Sequence, residues 1–445
     1  MVENNCLLKT ISFSELTKWN VNLYVNKINI QSKYETLKLS KIIVPRKSRL
    51  KNKDYKGQFP IVEKIRFADG KVFFRTEKNP KTDLNVSCLN DLLVSNINFE
   101  KGAFAINKFD TIVTSTDYQS YEILIPINYD YFNQVLRTDA FLRQVKALKS
   151  GGMKTRARYD FIKQFSIPIP SLKEQDTIFK CYKKTLDQAE KLEKQAEELE
   201  KNIDCYIFQT LGIQETSLER KNDSILSITF FNNLYNWDAK HAILNINPQT
   251  LLKSSIFKNI PIQTAFSINP TTTIPKDLDE ISFLPMECIS DIYGSVIEKR
   301  TIDSKTQGYT KFKDNDVIFA KITPCMQNGK CAVVKDLKQG YGMGSTEFHV
   351  FRAISDDVIP EYLHSLLRTK MLRNAAMNYF TGSSGQQRVS SDFIENLYIP
   401  LPPLPIQEEI INHINTIKKQ VKDLRKQVTD LREQAKKNFE GSIFE

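Results

Sequence analysis

The sequence predicts an α/β (α+β) protein with an internal twofold repeat, in which each of two bodies is followed by a long helix. Three observations predict this fold: a duplicated proline-rich segment, a periodic apolar pattern after each copy, and short β-rich runs before each copy. A chain of 445 residues is also too long for one ordinary hydrophobic core, so more than one domain is expected.

The duplicated segment is the clearest internal similarity in the chain. Residues 160–175 read DFIKQFSIPIPSLKEQ and residues 392–407 read DFIENLYIPLPPLPIQ, and the two align without a gap. Gln175 therefore matches Gln407 at the end of the segment. Weaker matches precede both copies in the same order, so the sequence indicates one unit of about 220 residues, duplicated and diverged.

A long helix is predicted directly after each proline-rich segment, because the prolines themselves disfavour both helix and central strand. Apolar residues in these helices recur at alternating spacings of four and three, as in the seam of a coiled coil. The main seam residues are Leu192, Leu199 and Ile203 in the first helix and Ile417, Val421, Leu424, Val428 and Leu431 in the second. Docking of each helix on its own body is the alternative, but so narrow a seam favours pairing of the two helices.

The bodies show a different pattern. Short β-rich runs at residues 282–287, 316–322 and 348–352 alternate with glycine-containing turn signals. An amphipathic helix is predicted over residues 360–378. Each body is therefore expected to be a compact α/β unit with many loops.

The composition is that of a globular protein with an excess of basic residues. The formal charge of +11 favours a polyanionic partner such as nucleic acid. The seven cysteines include no CxxC pair, so neither a disulfide framework nor a zinc site is indicated. No signal peptide is recognisable, and no apolar run reaches the roughly 18 residues of a membrane span. A soluble cytoplasmic protein with no membrane partner is expected.

Motifs for catalysis are absent from the sequence. It contains no GxxxxGK[ST], HExxH or GxSxG pattern, and it lacks the glycine-rich loop and NPPY-like motif of a DNA aminomethyltransferase. Asp314 and Asp316 are close together, but they lie in a turn that enters a strand, where solvated acids are ordinary. No catalytic residue and no metal ligand is predicted, and the chain is expected not to be an enzyme.

Basic and amide-bearing loops carry the candidate DNA-binding residues, because Lys and Arg neutralise phosphates while Asn, Gln and Arg can contact base edges. The candidates of the first body are Arg46, Lys47, Arg49, Lys51, Lys154, Arg156 and Arg158. Those of the second body are Gln327, Asn328, Lys330, Ser383, Ser384, Gln386, Gln387 and Arg388. A solvated loop is the alternative for the first basic cluster. A structural turn is the alternative for the second glycine loop, although a turn needs no Gln-Gln-Arg.

The whole pattern resembles the specificity subunits of type I restriction-modification systems. The resemblance covers nearly the whole chain and is most specific over residues 381–409 and 160–175. It implies two target-recognition domains separated by two long antiparallel coiled-coil helices. The domain boundaries that follow are 1–171 and 213–403 for the recognition domains, and 172–212 and 404–445 for the helices.

The resemblance also implies the partners. Each recognition domain would read one half of a bipartite site in double-stranded DNA, while the coiled coil would space the domains and dock DNA methyltransferase subunits. S-adenosylmethionine would be bound by the methyltransferase subunits, and ATP and Mg²⁺ by a restriction/translocase subunit. No cofactor is expected on this chain.

Three other interpretations stay open from the sequence. The chain could serve a type IIB/IIG-like system, it could be a coiled-coil scaffold that binds no DNA, or it could be a standalone nuclease. Salt separates a DNA-binding specificity subunit from the scaffold, because binding through several phosphates weakens steeply with added salt, whereas apolar docking does not.

Overall fold

The structure is a computed structural model that describes residues 30–76, 79–147, 158–214, 247–382 and 386–444. The chain divides into two compact units. The first comprises Met1–Lys191 with Gln427–Glu445, and the second comprises Leu192–Lys426. Each unit therefore joins one body to parts of both long helices. Within the described ranges, no helix has the length and apolarity required to cross a membrane.

The first unit is built around a four-stranded sheet in the order β2-β10-β7-β8, beside a three-stranded sheet β3-β6-β9. Its strands are β1 (Thr36–Lys38), β2 (Ile43–Pro45), β3 (Arg49–Leu50), β4 (Val62–Ile65), β5 (Val72–Phe74), β6 (Leu84–Cys88), β7 (Leu92–Ser95), β8 (Phe104–Ile106), β9 (Thr111–Thr114), β10 (Tyr118–Ile123) and β11 (Ser166–Pro168). Its helices are α1 (Tyr129–Val135), α2 (Asp139–Ala147), α3 (Tyr159–Ile162), the beginning of α4 (Leu172–Leu211) and the end of α10 (Leu404–Ile443).

The second unit is built around a four-stranded sheet in the order β13-β20-β17-β18, beside a sheet β15-β14-β19-β16. Its strands are β12 (Asn259–Pro261), β13 (Phe266–Ile268), β14 (Glu280–Leu284), β15 (Arg300–Asp303), β16 (Thr310–Lys313), β17 (Val317–Ala320), β18 (Cys331–Val333), β19 (Tyr341–Gly344), β20 (Phe348–Ala353), β21 (Phe380–Thr381), β22 (Arg388–Val389) and β23 (Tyr398–Pro400). Besides the end of α4, its helices are α5 (Pro248–Leu251), α6 (Ile262–Ala265), α7 (Pro360–Arg368), α8 (Lys370–Met377), α9 (Ser391–Glu395) and the beginning of α10 (Leu404–Ile443).

The predicted internal repeat is confirmed by the sheet topology. The first central sheet, β2-β10-β7-β8, has the same order and antiparallel pairing as β13-β20-β17-β18 in the second unit. Each proline-rich segment forms a short strand that pairs with the strand opening its body, β11 with β1 and β23 with β12. The α/β fold class predicted from the sequence is therefore correct.

The strand predictions fall on strands of the second unit. The run at residues 316–322 contains β17, whose four residues are all buried, as expected for an apolar strand covered on both faces. The runs at residues 282–287 and 348–352 overlap β14 and β20.

The helix predicted over residues 360–378 is in fact two helices. Thr369 interrupts it with extended backbone (φ −58°, ψ 142°), and its hydroxyl oxygen accepts a hydrogen bond from the backbone N–H of Leu372. Thr369 thus caps α8, which begins at the next residue. Its match in the first unit, Thr138, accepts from the backbone N–H of Phe141 in the same way.

The two long helices pair in an antiparallel sense within each unit. In the second unit Ala196 of α4 is buried against Ile417 and Val421 of α10, and Leu199, Ile203 and Leu424 are partly buried around them. Farther along α4, Tyr206 stacks on His413 with ring centroids 3.8 Å apart. In the first unit, the rings of Tyr182 of α4 and Phe439 of α10 pack together with their centroids 5.2 Å apart. Residue numbers rise along one helix as they fall along the other, which confirms the helix pairing.

Candidate nucleic-acid interface

A basic segment, residues 47–56, follows β2 in the first unit. Lys47, Arg49 and Lys51 are exposed, and within the described residues none of the three has an ion-pair partner. The backbone around them is fixed, because the carbonyl of Ser48 accepts from the N–H of Val86 at 3.1 Å and β3 pairs with β6. The segment therefore presents free cations from an ordered backbone, which suits contact with phosphates.

Arg46 has a different environment from the other members of the predicted cluster. Its Nε and Nη2 donate to the two carboxylate oxygens of Asp91 at 2.5 and 2.8 Å. Asp91, whose side chain is 2% exposed, also accepts from the hydroxyl of Ser120 and the N–H of Cys88. The hydrogen bonds that Arg46 donates to Asp91 raise the pKa of Arg46. The guanidinium of Arg46 is thus held by a buried carboxylate, and its contact with DNA stays a prediction.

Arg158 is exposed and directly precedes α3. The next residue, Tyr159, donates from its hydroxyl to the carbonyl of Ile43 at 3.2 Å, so Arg158 lies next to a side chain anchored on β2. The two other predicted cations of this loop, Lys154 and Arg156, lie outside the described residues.

In the second unit, the structure brings two separately predicted loops together. Ile322 and Arg388 form a β-bridge, and the N–H of Thr323 donates to the carbonyl of Gln387 at 2.9 Å. The start of the loop between β17 and β18 therefore lies beside Gln387 and the first residue of β22. Gln327, Asn328 and Gln386 are exposed on these two loops, and Gln387 is half-buried. The predicted Ser383 and Ser384 lie outside the described residues.

Arg388 anchors one of these loops. Its Nε and Nη2 donate to the carboxylate of Glu347 at 2.9 and 2.8 Å, and these hydrogen bonds hold the pKa of Glu347 below its ordinary value. Its Nη1 donates to the carbonyl of Gln386 at 3.1 Å. Arg388 is thus held by partners within the fold, and its contact with DNA stays a prediction.

Lys330 and Gln327 are also held by contacts within the second unit. The Nζ of Lys330 donates to the carbonyl of Met286 at 2.8 Å, and the Nε2 of Gln327 approaches the Sδ of Met377 at 3.4 Å. Asn328 and Gln386 are exposed, and amides of this kind can meet a base edge.

Arg368 supports the loop between β17 and β18, a role that was not predicted from the sequence. Arg368, largely buried, donates to the carbonyl of Gly329 at 2.6 Å and to the carbonyl of Ile292 at 2.9 Å. Its match in the repeat, Arg137, donates to the carbonyls of Phe104 and Asn133 in the first unit. A signal existed, because Leu-Arg-Thr occurs at the same place in both copies of the repeat.

The acidic pair Asp314 and Asp316 serves the fold. Asp316 is completely buried and accepts from both Nε and Nη2 of Arg352 at 2.8 and 2.7 Å, so the expectation of a solvated acid is wrong there. Asp314 accepts from the N–H of Leu337 at 2.9 Å. In the described ranges no three His, Cys, Asp or Glu side chains are grouped so that they could hold a metal ion.

The structure therefore defines a tandem protein of two related α/β bodies, each ending in a proline connector and a long coiled-coil helix. The family model for the type I restriction modification DNA specificity domain matches residues 32–201 and 268–430. The chain belongs to this family.

Two Escherichia coli proteins illustrate the relationship. The type I restriction enzyme EcoEI specificity subunit is 38% identical over 154 residues, which are 34% of this chain and 26% of that protein. The EcoAI specificity subunit is 43% identical over 147 residues, 32% of this chain and 25% of that protein. The aligned part thus spans about a quarter of the length of each relative.

The fold is shared with a solved structure from work on the complex assembly and conformational transition of the type I R-M system. The similarity covers 93% of this chain and 100% of that one, with a TM-score of 0.59 and 14% sequence identity. At that identity the likeness concerns the fold alone.

Proposed function

We propose that this chain is the DNA sequence-specificity subunit of a type I restriction-modification enzyme, and that each unit reads one half of a bipartite site in double-stranded DNA. The observation that carries the proposal is that the DNA specificity family matches the chain twice, once in each unit. A protein with two related readers recognises two half-sites, and the base pairs between them go unread.

The two units supply different groups for this task. The basic segment of the first unit offers Lys47, Arg49 and Lys51 to phosphates, which position a protein on DNA without reading its sequence. The adjoining loops of the second unit offer the amides of Asn328 and Gln386, and such amides can pair with the N6 and N7 atoms of adenine.

The partners and cofactors follow from this role. DNA methyltransferase subunits dock on the coiled coil and bind S-adenosylmethionine, while a restriction/translocase subunit binds ATP and Mg²⁺. The chain itself contributes recognition and no catalysis. The names of the two relatives, each a specificity subunit of a type I restriction enzyme, support this assignment. They do not favour the type IIB/IIG-like system or the scaffold.

Salt-dependent DNA binding tests the proposal in the complex with co-expressed methyltransferase. Replacing Lys47, Arg49 and Lys51 together with Gln removes three cations from the basic segment. Because each phosphate contact contributes about 0.9 to the slope of log K against log salt, the slope should become shallower by about 3. Duplex titrations at several salt concentrations measure this slope.

A matched control replaces Lys180, Lys183 and Lys184, three exposed lysines of α4 in the same unit, with Gln. It removes the same charge and should leave the slope closer to that of the unaltered complex. Equal slopes for the two triple variants would exclude phosphate contact by the basic segment. A complex whose duplex affinity does not depend on salt would instead be a scaffold.

A further inference from the structure

One buried glutamine lies in the first turn of each long helix, at matching positions of the repeat. Gln175 of α4 is 1% exposed and Gln407 of α10 is 0% exposed. Glutamine is usually exposed, and a buried amide is tolerated only when its donors and acceptor find partners. The function proposed above does not explain why both copies bury one.

In the first unit, Gln175 ties the long helix to the body. Its Oε1 accepts from the backbone N–H of Asn128 at 2.9 Å, and its Nε2 donates to the carbonyl of Pro170 at 2.8 Å. Asn128 is the N-cap residue of α1, and Pro170 lies in the proline connector. One side chain thus joins the body, the connector and the helix.

The second unit repeats this arrangement. The Oε1 of Gln407 accepts from the backbone N–H of Ile359, the N-cap residue of α7, at 2.9 Å. Its Nε2 donates to the carbonyls of Pro402 and Asp357, both at 2.9 Å. The same three elements are joined, although the residues around them have diverged.

A tyrosine of the body reinforces each joint. Tyr131 of α1 donates to the carbonyl of Pro168 at 3.1 Å, and Tyr362 of α7 donates to the carbonyl of Pro400 at 2.7 Å. The prolines of the connector have no N–H to donate across the joint. These side-chain contacts, together with the backbone pairing of β11 with β1 and of β23 with β12, therefore fix the orientation of each body on its own long helix.

We propose that Gln175 and Gln407 are positioning residues that fix this orientation and thereby determine how strictly the complex requires one spacer length between its half-sites. The inference rests on the proposed function. A reader whose orientation on its helix is fixed accepts its half-site at one distance from the other, whereas a loosened joint accepts neighbouring distances. The glutamines touch no DNA in this account, so they change spacing without changing the half-sites.

The test measures methylation of a plasmid library in which both half-sites are constant and the spacer varies by one or two base pairs. The unaltered complex should strongly prefer one length. In the double variant Gln175→Leu with Gln407→Leu, the preference over lengths one base pair away should fall about tenfold, equivalent to about 1.4 kcal/mol. The half-site sequences themselves should not change.

Exposed glutamines on the same helices provide the matched control, Gln188→Leu with Gln420→Leu, which should keep the original preference. The single variants Gln175→Leu and Gln407→Leu are expected to relax the preference in part, and they decide the question if the double variant does not fold. An unchanged spacer preference alongside a lower melting temperature would overturn the proposal, because the glutamines would then only stabilise the fold. A complex that methylates no split site at all would instead overturn the proposed function.

Discussion

In the first unit, β2 leads into a segment with six basic residues and one acid between residues 46 and 56, whereas β13, its counterpart, leads into a segment rich in threonine at residues 269–279. The strands before these segments have the same partners and direction in their sheets. The framework of each unit is therefore retained while the chain that leaves it diverges. A retained framework with diverged segments is what the proposal of two readers with different half-sites predicts.

The second sheets differ in a similar way. In the second unit β14 pairs in parallel with β19 over three residues, but in the first unit the corresponding contact is a single parallel bridge between Ile61 and Val113. The first unit also has β3 on the outer side of β6. Strands at the border of the framework therefore tolerate changes that the central sheets do not show.

Both units bury one carboxylate at matching positions, but the arginine that binds it comes from a different strand in each unit. Asp91 and Asp316 both lie directly before the inner strand of a central sheet, β7 and β17, and each binds an arginine. The sheet registers make Glu122 the counterpart of Arg352, and Arg46 the counterpart of Asn269. The guanidinium therefore reaches the same site from neighbouring strands in the two units.

A glutamate placed in the buried seam of the helix pair should have the largest effect on stability. It tests whether the two units depend equally on the pairing. Val421 in the second unit and Val428 in the first are each 1% exposed. Val421→Glu and Val428→Glu should each cost about 3 to 5 kcal/mol of stability, because a carboxylate would be buried without a partner. Leu424→Glu and Leu431→Glu, at partly buried positions, should cost less.

Urea unfolding and co-purification with the methyltransferase measure these effects. Lys422→Glu, on an exposed face of α10, is the matched control and should change stability by less than about 0.5 kcal/mol. If Val421→Glu is as stable as Lys422→Glu and still assembles, the coiled-coil seam is assigned incorrectly.

Moving the arginine between strands tests whether the two ion pairs are equivalent, with a somewhat smaller effect on stability. Arg46→Asn should destabilise the protein by about 2 to 3 kcal/mol, because Asp91 would stay buried without its cation; the value is reduced because the side chain of Arg46 is 23% exposed. Adding Glu122→Arg reproduces the arrangement of the second unit and should recover at least half of the loss. Urea unfolding of both variants measures the recovery, and a double variant no more stable than the single one would contradict the equivalence.

The smallest predicted effect depends on pH. Burial lowers the pKa of His349 to about 4 and that of His364 to about 3, whereas an unfolded histidine has a pKa near 6.5. The unfolded state therefore binds protons first, and stability falls as the pH drops below about 6.5 toward these folded values. Each histidine should cost about 2 kcal/mol between pH 6.5 and pH 5. The first unit contains no histidine and lacks this contribution.

Urea unfolding at pH 7 and pH 5 checks the sign and the size. His349→Gln should remove about half of the pH dependence that the two buried histidines contribute. Stability that rises on acidification would refute the assignment of neutral buried imidazoles.

The repeat, the long helices and the inner strands could be predicted because each is encoded locally. The pattern around Val421 and the apolar run around Ile318 repeat at helical or strand spacing within a few residues. The antiparallel pairing of the two long helices could be predicted only from the family resemblance. The break at Thr369 is harder to predict from the sequence, because the residues around it have the composition of a continuous helix. Only the capping contact of Thr369 shows that one helix ends and the next begins there.

Much of the candidate site could not be predicted because it depends on contacts between distant residues. The carboxylate that occupies Arg46 is 45 residues away, and the bridge that joins the two loops of the second unit links Ile322 to Arg388. A single sequence gives the chemistry of a loop but not its neighbours. Gln175 and Gln407 were visible as a match, but the backbone groups that they bind were not.

Exchange of one recognition domain tests whether the two units read their half-sites independently. The region 1–171 would be replaced by that of a relative, the chain co-expressed with its methyltransferase, and methylated bases mapped genome-wide by single-molecule sequencing. Two independent readers predict a split motif in which one half changes while the other half remains. Simultaneous change of both halves, or a motif identical to that of the unaltered complex, would contradict the account.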